Sequence, residues 1–248
     1  MSPTSTVMLD ITFQPEYIAD ILGFRVTNTL LTTFLVTVII AVTAVILSRS
    51  HRKPGLLLRV VRYVIFQALR LTEMVVGDKT RARRVLPLAL TFFIFITTAN
   101  LLALIPGFLG SFYVKTATGT VSLLRSPNSD LNTTVALALV AVIATQMFSW
   151  QHLGVRLYIR RFFDLRSPIR FFIGVFEIIS ESVKVLSFSF RLFGNVFAGE
   201  VLLLVVAFLA PYLVPVPFMI LEIFIGVIQA FIFAMLTLSF IKTASISD

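Results

Sequence analysis

The chain has 248 residues, of which 58% are hydrophobic and only 13% are charged. Soluble domains carry about 25% charged residues, so this composition excludes an ordinary soluble protein and indicates an integral membrane protein. The formal net charge of +9 does not indicate nucleic-acid binding, because the basic residues border apolar segments, as they do in membrane proteins. The chain has no cysteine, which excludes disulfides and thiolate metal sites, and we expect neither a metal site nor a cofactor.

Five apolar segments are long enough to cross a bilayer as helices, since about 20 residues span its hydrocarbon core. The alternating pattern of a transmembrane β-barrel is absent. We therefore predict a single all-α membrane domain. After a polar outer tail over residues 1–27, the five predicted spans are 29–47, 85–105, 132–150, 169–210 and 218–241. Asp130 stands where an N-cap belongs, just before the third span.

A further apolar segment, 56–76, differs from these spans in its charge pattern. Its charged residues fall within a narrow arc of a helix: Arg59, Arg62, Arg70 and Glu73. Leu, Val, Ile and Phe fill the rest of the helix surface, which is typical of an amphipathic helix lying in the membrane surface. The alternative is a span whose charges are buried in a bundle, and the cost of inserting Arg disfavours it.

The basic residues predict an orientation in the membrane. Segments 49–84 and 156–170 hold fifteen of the 21 Lys and Arg residues, and Lys242 lies on the same side. The opposite side, which includes the polar loop 108–129, has three: Arg25, Lys115 and Arg125. The positive-inside rule then places the N-terminus outside and the C-terminus in the cytoplasm. We favour a bacterial plasma (inner) membrane, with an organelle inner membrane as the alternative.

The fourth span contains a permanent cation, Arg191. Arg at the centre of a bilayer costs about 2.5–3.5 kcal/mol on insertion scales, and a guanidinium group does not lose its proton in proteins. Lys184, Ser187 and Asn195 share a helix face with Arg191, so this face must contact protein or water rather than lipid. The span is also about twice as long as the bilayer requires, which predicts a tilted or bent helix. A structural ion pair is the alternative role for Arg191.

Four carboxyl groups lie within the last two spans: Glu177, Glu181, Glu200 and Glu222. Apolar surroundings disfavour the charged form of a carboxyl group, so such groups can take up and release protons. We predict an inner proton relay at the first two and an outer relay at the last two, with the cation between them blocking a continuous proton path. Nucleophile–base patterns and phosphate-binding loops are absent, so we expect no ATP-hydrolysing site on this chain.

Several of these polar residues have simpler interpretations. Glu181 and Lys184, three residues apart, can neutralise each other. Gln229 and Asn100 can be ordinary interhelical hydrogen-bonding groups, and Asn100 can equally line a channel. Ser187 can bond to a carbonyl of its own helix.

Two motifs in the last two spans carry a family resemblance. The run 187–200, SFSFRLFGNVFAGE, and the run 228–234, IQAFIFA, closely resemble subunit a of the rotary F-type ATP synthase. The run 126–138, SPNSDLNTTVALA, resembles the segment that opens the preceding membrane helix in that family. The order and lengths of the elements agree from about residue 20 to the end.

The resemblance implies a stator subunit with two offset aqueous half-channels for protons. Its implied partners are a ring of c subunits, the b-subunit peripheral stalk, the rest of the F1Fo complex and membrane lipids. Arg191 would face a carboxyl group of the ring and separate the half-channels, and the last two helices would form a long tilted hairpin against the ring. The positions that the resemblance implies on the outer path are Asn195, Glu200, Glu222 and Gln229, and we add Asn100 as a residue that can line this path. Those implied on the cytoplasmic side are Glu177, Lys184 and Ser187, and Glu181 joins them as the other member of the predicted inner relay.

Some relatives in that family have a histidine where this chain has Glu222, so the outer relay here would pair two carboxyl groups. A secondary transporter or a stand-alone channel with an intramembrane Arg is the alternative function. Such transporters contain two related halves with interrupted helices, and the sequence has no visible duplication.

Overall fold

The computed structural model describes residues 17–21, 24–49, 55–105, 113–116, 119–122, 124–154, 167–210 and 213–244. Within these ranges the chain forms six α-helices and two small antiparallel hairpins. The hairpins pair β1 (Tyr17–Ile21) with β2 (Phe24–Thr27), and β3 (Tyr113–Thr116) with β4 (Gly119–Ser122). The helices are α1 (Asn28–Arg49), α2 (Leu56–Val76), α3 (Lys79–Ala103), α4 (Leu131–Leu153), α5 (Pro168–Leu209) and α6 (Pro215–Ala244).

The predicted helices are all present, and their ends differ from prediction for local reasons. Helix α3 begins at Lys79 rather than 85, because Asp78 caps it by accepting a hydrogen bond from the Thr80 amide at 2.7 Å. Helix α6 begins at Pro215 rather than 218, since the first turn of a helix tolerates a residue without an N–H. The β1–β2 hairpin within the polar tail was not predicted, because its strands are too short to give a clear alternating pattern.

Five of the helices, all except α2, are long and apolar enough to cross a membrane. Helix α5 is continuous over 42 residues, which corresponds to roughly 63 Å at 1.5 Å per residue. This is about twice the thickness of a hydrocarbon core. The length anomaly predicted for the fourth span is therefore confirmed, and one unbroken helix accounts for it.

The four helices α3, α4, α5 and α6 pack around one apolar core. Phe233 of α6 lies at its centre, with ring centroids 5.2 Å from Phe92 and 4.7 Å from Phe188. Ala138 and Ala141 of α4 are fully buried in the same cluster. Small residues let helix backbones approach closely, which is how membrane helices gain packing energy where no water drives association. This core fixes α5 and α6 side by side.

The segment 124–130 differs from the sequence interpretation. The sequence predicts a polar outer loop over 108–129 that ends at the Asp130 cap, yet the residues of segment 124–130 are buried except for the half-buried Arg125. Thr29 of α1 donates a hydrogen bond to the Asp130 carboxylate at 2.9 Å, and the Arg125 amide donates to the Thr32 hydroxyl at 3.2 Å. The short 3₁₀ turn in this segment also contacts α3, α4 and α5. The polar segment is thus inserted among the helices.

We predict that Asp130→Ala destabilises the chain more than Asp78→Ala. Both residues are N-caps, and losing a cap costs about 1 kcal/mol. Asp130 is also buried and holds the Thr29 hydroxyl, and a buried hydroxyl left without its partner costs a further ~1–3 kcal/mol. Denaturation of the full chain in mild detergent measures both losses. Equal losses in the two variants would contradict the role given to the Thr29–Asp130 hydrogen bond.

Candidate functional site

The face of α5 around Arg191 is exposed in the isolated chain. Arg191 donates a hydrogen bond from Nη2 to the Ser187 hydroxyl at 3.1 Å, so Ser187 serves as an acceptor for the cation. Both side chains are exposed, as is Asn195 one turn further along. Among the residues that the structure describes, no carboxylate forms an ion pair with Arg191. The alternative role for Arg191, a structural ion pair, is therefore wrong as far as the described residues are concerned.

Asn195 links this face to α6. Its Nδ2 donates to the Gln229 Oε1 at 2.6 Å, and Gln229 is buried with an exposed fraction of 4%. Gln229 is thus an interhelical hydrogen-bonding group, as its simpler interpretation held. The bond to Gln229 also fixes the Asn195 amide one helical turn from Arg191. A hydrogen-bonding group therefore lies beside the cation.

Glu200 and Glu222, which we call the acidic pair, lie near each other at the contact between α5 and α6. The carboxyl group of Glu222 packs directly over Gly199, where a Cβ atom would collide with it. Glu200, nine residues beyond Arg191, lies on the opposite side of α5, and the Ser129 hydroxyl lies close to its carboxyl group. Arg125 and Glu222 both lie close enough to Glu200 to interact with it electrostatically.

A chain of amide groups lies next to the acidic pair. Asn128 donates to the Asn100 Oδ1 at 2.7 Å, and Asn100 donates to the carbonyl oxygen of Gly226 at 3.1 Å. Gly226 lies one turn beyond Glu222 on α6. Both asparagines are buried, and the Asn100 Cβ would lie only 3.0 Å from a Cβ added at Gly226. Asn100 therefore joins α3, α6 and the buried segment.

The residues from segment 124–130 were missed as site residues by the sequence analysis. Arg125, Asn128 and Ser129 were counted as part of a polar outer loop, and only the resemblance drew attention to the run that contains them. Their role here depends on a loop folding back into the bundle, for which the sequence has no periodic signal.

Buried polar atoms without a protein partner cluster on this side. Within the described residues they include the Ser126 Oγ, the Asn128 Oδ1 and the Glu200 Oε1. Buried polar atoms of this kind are normally satisfied by ordered water. Segment 124–130 and the acidic pair therefore form a polar environment in which ordered water molecules can bind.

A second group of charges lies nearer the start of α5. Lys184 donates to the Glu181 carboxylate at 2.6 Å, so the predicted mutual neutralisation is present. The Lys184 ammonium also lies 5.0 Å from the centre of the Phe240 ring of α6. Glu177 is half-buried one turn before Glu181, and the second oxygen of Glu181, Oε2, is buried without a hydrogen-bond partner in the described part of the chain.

The spacing along α5 separates the two groups. Glu181 and Glu200 are 10 and 9 residues from Arg191, which places them about 15 Å and 13 Å from it along the axis, on opposite sides. The structure joins Asn195 to Gln229 by a hydrogen bond and places Glu222 near Glu200. Asn100 forms no hydrogen bond with either of these pairs among the described residues, but it bonds the Gly226 carbonyl one turn beyond Glu222. The structure places the predicted inner residues, namely Glu177, Glu181, Lys184 and Ser187, along the other half of the same helix. This arrangement would permit carboxyl groups to take up protons at two depths, with the fixed cation of Arg191 between them.

Comparisons with known proteins agree with these features. The family model described as ATP synthase A chain matches residues 30–242. ATP synthase subunit a of Moorella thermoacetica is 39% identical over 171 residues, covering 69% of this chain and 68% of that protein. ATP synthase subunit a 1 of Hahella chejuensis is 34% identical over 219 residues, covering 88% and 83%, and ATP synthase subunit a of Gloeobacter violaceus is 34% identical over 222 residues, covering 88% and 83%.

The family match covers both motif runs, the buried segment and all five long apolar helices except the ends of the first and the last. The chain is therefore a multi-pass integral membrane protein that belongs to the ATP synthase A chain family.

Proposed function

We propose that this chain is the proton-translocating stator subunit of an F-type ATP synthase, in which Arg191 couples proton flow to rotation of a ring of c subunits. The observation that carries the proposal is the exposed Arg191, which has no carboxylate partner among the described residues. A permanent cation within apolar helices needs an anionic partner or water. A carboxyl group presented by a neighbouring ring supplies that partner.

The outer half-channel would run past the acidic pair toward Asn195 and Gln229. Glu200 and Glu222 would both take up protons on this path, and Glu222 lies close enough to Glu200 to influence it electrostatically. The buried polar atoms of segment 124–130 supply hydrogen-bonding sites for the water that such a path needs. Asn100 would hold this segment against α6 through its two hydrogen bonds.

The inner half-channel would pass the Glu181–Lys184 ion pair. With its charge already neutralised by Lys184, Glu181 presents its unpartnered Oε2 as an acceptor. Glu177, one turn earlier on the helix, would continue the path toward the cytoplasm, and Ser187 would lead from Lys184 toward Arg191. Ser187 also orients the guanidinium group.

The mechanism follows from electrostatics. A ring carboxyl group that faces lipid must be protonated, because an ionised one is several kcal/mol less stable there. Beside Arg191 it ionises, since a nearby cation and water favour the charged form. One half-channel delivers a proton and the other receives one, so net transfer requires the ring to turn. Each charge that falls through 100 mV releases about 2.3 kcal/mol, and several such transfers can drive ATP synthesis elsewhere in the complex.

The basic flanks favour an N-terminus outside and a C-terminus in the cytoplasm. Helix α5, at roughly 63 Å, would cross the membrane steeply tilted and form a hairpin with α6 against the ring. Helix α2 would lie in the membrane surface, with the exposed Arg59, Arg62 and Arg70 near the headgroups. The other partners in this proposal are the b-subunit stalk and the rest of the F1Fo complex in a bacterial plasma membrane.

We predict that Arg191→Ala abolishes proton-driven ATP synthesis, because the ring carboxyl group then lacks the cation that makes it release its proton. Membrane vesicles energised by a proton gradient measure this activity, and blue-native electrophoresis tests whether the variant still assembles with a c-ring. Arg62→Ala, which removes an exposed Arg from α2, is the control and should retain synthesis. Proton-driven synthesis in an assembled Arg191→Ala complex would refute the proposal.

The double variant Glu200→Gln/Glu222→Gln should slow proton translocation at least tenfold, because an amide cannot take up and release a proton. The rate of passive proton flow through F1-depleted vesicles reports this step directly. Glu73→Gln on α2 removes a carboxyl group outside the hairpin and should leave the rate unchanged. An unaltered rate in the double variant would remove the acidic pair from the path.

Gly199→Ala should slow the same proton flow, since its methyl group occupies the place where the Glu222 carboxyl group packs. The methyl group would therefore displace that carboxyl group and change its position relative to Glu200. Gly55→Ala adds the same methyl group in open space and serves as the control. If the two variants transport protons equally fast, the contact between Gly199 and Glu222 has no part in transfer.

A further inference from the structure

A cavity of about 150 Å³ lies at the end of the bundle opposite to the acidic pair. It is formed where the C-terminal ends of α2, α4 and α6 meet the first turns of α3. Its polar lining includes Arg81 and Arg84 of α3, His152 of α4 and Lys242 of α6. A volume of this size holds a benzene-sized molecule in an engineered protein cavity, so it admits more than a single water.

The cations around this cavity are only partly neutralised. Arg81 lies 3.5 Å from the Asp78 carboxylate, and both side chains are nearly half exposed, so this ion pair contributes little. Neither Arg84 nor Lys242 forms an ion pair with a carboxylate of the described residues. Two fixed positive charges therefore face one small space.

Helix electrostatics explain only some of these charges. Lys242 stands in the last turn of α6, where the helix dipole favours a cation. Arg81 and Arg84 stand in the first two turns of α3, where the dipole favours an anion instead. Arg81 and Arg84 therefore add to the positive potential that the N-terminus of α3 already creates at the cavity. They do not neutralise a negative helix end.

The inner wall of the cavity is apolar. Val85 and Ile241 line it with exposed fractions of 2% and 3%, and both belong to an apolar cluster of the α3–α6 contact. Trp150, one turn before the end of α4, is 49% exposed, and exposed Trp is typical of the membrane–water boundary. A cationic rim above an apolar wall at this depth matches the two parts of a phospholipid, its phosphate and the start of its acyl chains.

We propose that this cavity binds the headgroup of an anionic phospholipid, with Arg84 and Lys242 contacting the phosphate and Val85 and Ile241 contacting the lipid beneath it. Basic pockets between membrane helices on the positively flanked side are suited to such headgroups. The site is separate from the proton path, so the proposal does not depend on the function of Arg191. A bound lipid would hold together the ends of four helices.

The test is native mass spectrometry of the full chain in non-ionic detergent, titrated with phosphatidylglycerol or with phosphatidylcholine of the same acyl chains. The wild-type chain should bind phosphatidylglycerol more tightly. Arg84→Gln/Lys242→Gln should weaken phosphatidylglycerol binding about 30-fold, because each basic residue at a membrane surface contributes about 1 kcal/mol to holding an anionic lipid. Phosphatidylcholine binding should weaken much less, since its choline cation already offsets the charge of its phosphate, so the preference for phosphatidylglycerol should be lost. The ratio of the two affinities within one variant is insensitive to partial unfolding.

Lys79→Gln/Arg83→Gln removes the same two charge types from exposed positions that do not line the cavity, and it should retain the preference. An equal loss in this control would overturn the proposal in favour of a general surface charge effect. Equal affinity of the wild-type chain for both lipids would also overturn it. Displacement of phosphatidylglycerol by equimolar inorganic phosphate would identify a soluble-anion site and exclude the lipid.

Discussion

A guanidinium group that cannot lose its proton, placed within an apolar helix, is the constraint on which this molecule depends. Its cost of insertion must be offset by a hydrogen-bonding side chain, by water or by an anion. Among the described residues, Arg191 has one side-chain hydrogen-bond partner, the Ser187 hydroxyl, which accepts from it. Under the proposed function, a carboxyl group of the ring supplies the remaining stabilisation, and the face around Arg191 is the interface with that ring.

The length of α5 separates two polar surroundings without breaking the helix. Because the helix is continuous over 42 residues, the charges near its start and near its end stay at fixed positions relative to Arg191. The proton-carrying groups that the proposed function places on either side of this cation therefore need no moving part in this chain. Under the proposed function, the movement belongs to the ring, and the rigid apolar core of four helices keeps the stator still.

The polar groups at the two ends of the bundle have different surroundings and need different partners. At the acidic pair, segment 124–130 brings amides, hydroxyls and Arg125 among the helices, and some of these atoms have no protein partner. At the opposite end, cations surround a cavity with an apolar wall. Water satisfies the first arrangement and, under our proposal, a lipid phosphate satisfies the second. The first follows from the rule that buried polar atoms find partners, and the second from the attraction between basic residues and anionic headgroups.

The sequence by itself determined the membrane class, the helices and the unusual residues of α5, because hydropathy, helical period and insertion cost act over consecutive residues. It also predicted the Asp130 cap and the Glu181–Lys184 ion pair, which are local contacts. Only the tertiary structure decided that Glu222 packs on Gly199, that Asn100 joins Asn128 to Gly226, and that a polar segment enters the bundle. These contacts join residues up to 126 positions apart, and no pattern of neighbouring residues specifies which distant groups a packed core brings together.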